Sequence, residues 1–236
     1  MDTNKEIIQI SPKEIKELAL ENVVPGITSV LKKIASGNGG DLVQAASNAV
    51  QNSAKVGWLS SLDNEWKKLV EDGKVQPNFG STETGRACLQ ELLDSLNRDL
   101  PDKRRFDAMK KLFIKAAKPE ANEAEQTRLY QLMSVCRQLD GTEILVLRAS
   151  FDQRKKIVSD PRLEITSADA WAVAVSKASN DLLSPGLVEH YEEKLIAKNI
   201  IGGRVHVDKS GIANSRNFRL SRLAIELGNV LEEPDA

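Results

Sequence analysis

Between Ser81 and Leu139 apolar residues recur every three or four positions and prolines interrupt the pattern twice, so this stretch is constrained to fold as packed helices. Ser81 or Thr82 caps a helix with Cys88, Leu89, Leu92, Leu93 and Leu96 on one face, which ends by Leu100-Pro101. Asp102 opens a second, with Phe106, Met109, Leu112, Phe113 and Ala116. It stops at Lys118-Pro119, because proline disfavours helix in the residue before it. From about Glu123 a third helix places Leu129, Leu132, Met133, Cys136 and Leu139 on one face. Short breaks between consecutive helices imply a bundle.

Upstream, Ser11-Pro12-Lys13-Glu14 is a capping box with proline in the first turn, opening a helix that bears Ile15, Leu18 and Ala19. Pro25-Gly26 breaks it, and a segment with Ile27, Val30, Leu31 and Ile34 runs into the glycine cluster of residues 36–40, the clearest linker in the chain. Asp41 then caps a helix with Leu42, Ala45, Ala46, Ala49 and Val50. Gly57 is expected to interrupt it before Trp58, Leu62, Trp66 and Leu69 resume the spacing.

After residue 139 the character changes. Asp140-Gly141-Thr142-Glu143 reads as a second capping box and starts a helix through Ile144, Leu145, Leu147 and Phe151, followed by a basic connection from Asp152 to Asp160. Thr166 or Ser167 caps Ala168 to Ala178, whose Trp171, Val173 and Val175 suggest deep burial. Ser184-Pro185 opens a helix with Leu187, Tyr191 and Leu195, ended by Gly202-Gly203. Only then does the period fall to two: Val205 and Val207, a turn at 208–211, and Phe218 and Leu220 read as a hairpin, with a closing helix through Leu223, Leu227 and Val230. Three helices, a hairpin and a trailing helix are the winged-helix order. The expected fold is mainly α: a helical region over 1–139 and a winged-helix-like domain over 140–236.

Composition narrows function more than it assigns it. The chain has 236 residues, 41% of them hydrophobic, and a formal net charge of −1; this is enough apolar material for a core and too little charge bias for a nucleic-acid coat. No apolar run reaches the length of a membrane span and the first residues are polar, so a cytoplasmic protein without membrane contact is expected. With His190, His206, Cys88 and Cys136 alone, a histidine triad, a cysteine nucleophile or a structural metal site has few places to be. Both cysteines lie on apolar stripes and His190 on a polar helix face. The Gly37 to Gly40 cluster lacks the Lys-Ser/Thr of a phosphate loop. A non-enzymatic protein without cofactor or metal is the expectation.

Charge distribution says more than its total. Residues 101–118 hold seven cations against Asp102 and Asp107, and residues 202–222 hold five against Asp208. Lys103, Arg104, Lys111 and Lys115 in the first segment, with Arg204, Lys209, Arg216 and Arg219 in the second, are the candidate contacts for an anionic partner or nucleic acid. Yet the helix in the recognition position carries Glu189, Glu192 and Glu193, which phosphates repel. A protein partner or a homo-oligomer is therefore favoured over DNA, with a DNA-binding regulator as the alternative.

Three stretches give the chain a resemblance to the abortive-infection alpha-like proteins, over about residues 100–231. They are residues 111–117 with the helix ending at Leu139; Leu139-Asp140-Gly141-Thr142-Glu143-Ile144-Leu145; and residues 195–201 leading to 218–224. The last resembles the closing pattern of many winged helices, with Lys198 where leucine is usual, Asn199 and Ala224 where glycine is usual, Phe218 for tyrosine and Ser221 for threonine. The resemblance implies a defence-related or regulatory cytoplasmic protein, and carries over no catalytic residues.

Overall fold

The computed structural model describes residues 53–96, 102–163, 165, 168–203, 205–208, 211–214 and 219–232. The capping box at Ser11, the linker at 36–40 and the helix expected from Asp41 lie outside these residues. Among the described residues are eight α-helices and one pair of strands, so the protein is mainly α. By packing, the chain divides into two compact units. Their described parts are residues 53–96 with 116–126, and residues 102–115 with 127–232. The division therefore differs from a boundary at 139/140, because the helix from Lys103 and most of the helix from Glu123 count with the C-terminal residues.

In the first unit, α1 (Ser53–Glu71) runs without a break through Gly57. A single glycine in a helix costs about 1 kcal/mol, which the burial of Leu59, Leu62 and Leu69 offsets. A short 3-10 turn (Phe79–Ser81) leads into α2 (Glu83–Leu96). Thr82 caps α2, its hydroxyl accepting from Gly85 N–H at 3.0 Å and donating to the Phe79 carbonyl at 2.8 Å. Cys88, Leu89, Leu92, Leu93 and Leu96 are buried, the face that the spacing picks out.

The second unit begins with α3 (Lys103–Ala116), which continues into the first for its last residue, and α4 (Glu123–Arg137), which enters from it. Asn122 caps α4 by accepting from Glu125 N–H at 3.0 Å. Then α5 (Gly141–Ser159) opens on a complete capping box: Asp140 Oδ1 accepts from Thr142 and Glu143 N–H at 2.9 and 2.8 Å, while Glu143 accepts from Asp140 N–H at 2.7 Å. Asp102 serves two helices. One oxygen accepts from Arg105 N–H in the first turn of α3 at 3.2 Å, the other from Gly141 N–H at the start of α5.

The segment 152–159, expected to be a connection, is the last two turns of α5. It holds no breaker before Pro161, and Gln153 and Ile157 bury on the side of Val146 and Ser150. α6 (Ala168–Ala178) follows, and its cap at 166–167 lies outside the described residues. α6 is not buried all round: Trp171, Ala172 and Val175 face inward, and Val173 is 40% exposed. α7 (Pro185–Ala197) is capped by Ser184. Here the inward face is Val188, Glu192 and Leu195, while Leu187 is 46% exposed and Tyr191 half-buried, one position away from the expected stripe. The reason is that Glu192 has buried partners, described below.

β1 (Val205–Asp208) pairs antiparallel with β2 (Gly211–Asn214), Val205 opposite Asn214 and Asp208 opposite Gly211. The return strand thus precedes the expected Phe218–Leu220. Leu220 instead bridges Ile201 across the base, and Phe218 lies outside the described residues. Asn199 adopts a left-handed backbone (φ 58°), a conformation asparagine tolerates and glycine usually fills, as its place in the closing pattern suggests. α8 (Arg222–Glu232) packs on α5, with Leu227, Val230 and Leu231 buried.

Candidate functional site

The eight cations singled out by the sequence have different fates. Arg204, Lys209 and Arg216 lie outside the described residues, or their side chains do. Arg219 is not a surface cation. Its side chain is 8% exposed, and its guanidinium is ion-paired with Glu192 Oε1, whose side chain is 2% exposed. The same Glu192 oxygen accepts from the indole N–H of Trp171 at 2.8 Å. α6, α7 and the segment before α8 thus meet on one buried carboxylate. Its burial would cost several kcal/mol alone and is compensated by a charge and a neutral donor.

A second buried carboxylate repeats the pattern. Glu143, 1% exposed, receives the Lys198 ammonium at 2.6 Å, and the same ammonium donates to the Gln138 carbonyl at 3.0 Å. Lys198, which departs from the leucine of the winged-helix closing pattern, is a tether between the end of α7 and the start of α5.

The α3 cations form a more open arrangement. At 100° per residue Arg104, Lys111 and Lys115 fall on one stripe of α3, and Lys103 on another. Lys103 is ion-paired with Asp107. Arg104 and Lys111, with Asp107 and Ala108, line a cleft of about 120 Å³, closed by Ile144, Leu145 and Arg148 of α5 and Leu231 of α8. Lys111 Nζ reaches the Leu231 carbonyl at 3.4 Å. Arg148, outside both basic segments of the sequence, joins this set because Asp102 anchors the start of α5 to α3. Nothing local in the sequence brings positions 104 and 148 together.

Exposed residues of α7 give a different surface. His190 meets Tyr191 edge-on at 5.3 Å between ring centroids, and the Lys194 ammonium lies 4.5 Å from the Tyr191 ring. Leu187 and Glu193 are exposed beside them.

Neither cysteine is arranged as a nucleophile. Burial, with Glu91 adding to it, pushes the Cys88 thiol up to about 12. Burial likewise pushes Cys136 up to about 12, Asp102 adding to it and Arg105 opposing. Among the described residues no three His, Cys, Asp or Glu side chains come together as a metal set. No described helix is long and apolar enough to cross a membrane. No family model matches the chain, and neither a curated protein nor a solved structure resembles it significantly.

Proposed function

We propose that this is a non-enzymatic, cytoplasmic interaction or regulatory protein, whose C-terminal unit is a winged-helix-like module used to contact proteins. The order α5, α6, α7, strand pair and α8 supports the winged-helix reading. The observation that carries the protein-contact reading is the Glu192–Arg219 pair. The arginine before α8 is neutralised inside the fold, and the helix in the recognition position offers Leu187, His190, Tyr191, Glu193 and Lys194 outward. A phosphate backbone needs mobile cations in that place. A protein surface accepts the mixed aromatic and apolar set. Leu182, 60% exposed in the turn before α7, extends the apolar part. The resemblance to abortive-infection alpha-like proteins adds a defence-related setting to this reading.

The α3 stripe supports a second reading, a DNA-binding regulator. A gel shift on generic duplex DNA separates the two. We expect no shift at low salt; a shift whose affinity falls steeply with salt makes the protein a DNA binder and removes the first reading.

A further inference from the structure

We propose that the cleft between α3, α5 and α8 is a receptor for an acidic side chain flanked by aliphatic ones, presented on a peptide segment of a protein partner. This rests on the protein-contact reading above and names a second surface for it, away from the residues of α7.

The chemistry of the walls selects the ligand. Arg104 and Arg148 are exposed cations that approach the cleft from two different helices, and Lys111 adds a third from its inner side, held by the Leu231 carbonyl. Two guanidiniums flanking one opening suit a carboxylate, which takes paired N–H donors from an arginine fork. Ile144, Leu145, Ala108 and Leu231 supply the remaining walls with carbon. A free inorganic anion gains nothing from that carbon, whereas a Leu or Ile two residues from a Glu or Asp, on the same face of an extended segment, buries against it.

Size and negative charge exclude other ligands. At about 120 Å³ the cleft is well below the ~300 Å³ at which small-molecule sites begin, so it admits a side chain rather than a cofactor. Asp107 and the carbonyl end of α8 share the walls with the cations. Successive phosphates would meet both, while a single carboxylate fits between the arginines and avoids them. Lys115 continues the stripe of α3 one turn past Lys111, about 6 Å further on. An extended peptide with acidic residues at alternate positions, about 6.6 Å apart, matches that step. The expected complex is weak and salt-sensitive.

The test uses the full chain, labelled with 15N, titrated at low salt with a short capped extended peptide whose glutamates and leucines share one face, with serines at the intervening positions. Companion titrations use the leucine–glutamine version, inorganic phosphate and duplex DNA. We expect saturable shifts at residues 104, 111, 145 and 148 with the glutamate peptide only. Arg104→Glu with Arg148→Glu weakens binding at least about tenfold and leaves the melting temperature near that of the parent. Lys177→Glu, on the exposed side of α6, leaves it unchanged. Absent shifts, equal binding of the glutamine peptide, or equal loss with Lys177→Glu overturns the cleft proposal and leaves the protein-contact reading standing. Phosphate shifting the same residues as strongly makes the cleft a simple anion site and also overturns it. Duplex DNA binding lost in the double variant removes the cleft proposal and the protein-contact reading together.

Discussion

Glycines set different demands on this chain according to what a methyl group would meet. At Gly85 an added Cβ would lie 1.8 Å from the Phe79 carbonyl oxygen, a backbone atom that also accepts the Thr82 hydroxyl. At Gly57, inside α1, it would meet nothing within 4 Å. Gly85→Ala should therefore destabilise by about 3 kcal/mol, the upper end of overpacking costs, because the turn at Phe79–Ser81 must move. Gly57→Ala should stabilise by about 0.5–1 kcal/mol through helix propensity and a less free unfolded chain. Urea titrations of the two variants check this; a neutral Gly85→Ala would show that the turn is soft. Asp152 gives a pH-dependent case. Burial raises its pKa above the ordinary 3.8, Glu232 adds to this, and Arg148, Lys155 and Lys156 oppose it. The folded state therefore holds the proton more tightly than the unfolded state, so the ionised carboxylate lowers stability at neutral pH. That penalty fades as pH falls through the folded pKa towards 3.8. Asp152→Asn should raise the melting temperature at pH 7, with a gain that shrinks to nothing in strongly acidic buffer. A gain that grows on acidification would contradict the assigned sign.

At the scale of elements, the caps carry more of the fold than the stripes do. Asp102 begins two helices, accepting from Arg105 N–H in α3 and Gly141 N–H in α5. A Cβ at Gly141 would stand 2.2 Å from the Asp102 carboxylate, so any larger residue there must displace that side chain and its hydrogen bond. Asp102→Ala leaves both donors without this acceptor and should cost about 2–3 kcal/mol, more than a single cap. Asp102→Asn should restore much of it, and an unchanged denaturant slope would show that only stability moved. Caps were also what the sequence made legible. Thr82, Asp102, Asp140 and Ser184 each begin a helix, because the cap and its donors lie within a few residues of each other. The inward face of α7 was not legible. A carboxylate reads as a solvent-facing residue unless its partners are known, and Trp171 and Arg219 lie 21 and 27 residues away from Glu192. The same distance in sequence hid Arg148 from the α3 cations. The end of α5 departs from its local pattern for a simpler reason: charged residues between Asp152 and Lys156 resemble a loop, yet Gln153 and Ile157 still bury.

At the scale of the molecule, the packing boundary has a consequence that the sequence boundary at 139/140 does not. A chain cut to residues 140–236 keeps α5 to α8 with the strand pair. It loses α3 and α4, which bring Phe106, Met109, Leu112, Leu129, Leu132 and Met133, all at most 2% exposed, and whose residues 102–115 and 127–137 belong to the same compact unit. Six large apolar side chains at about 1.5–3 kcal/mol each, about 9–18 kcal/mol together, are comparable to the whole net stability of about 5–15 kcal/mol of an ordinary domain. The cut also removes Asp102 from the start of α5 and Lys111 from the end of α8. Residues 140–236 alone should therefore keep helical far-ultraviolet signal, through the intact Asp140 capping box, but lose cooperative melting and bind a hydrophobic dye. A fragment starting at residue 102 should melt cooperatively, because every buried partner named for the second unit is then present. If the shorter fragment melts as sharply as the longer one, α3 and α4 are accessories. Residues 140–236 would then be a free-standing domain, and the cleft lined by Arg104 and Arg148 would depend on a dispensable helix.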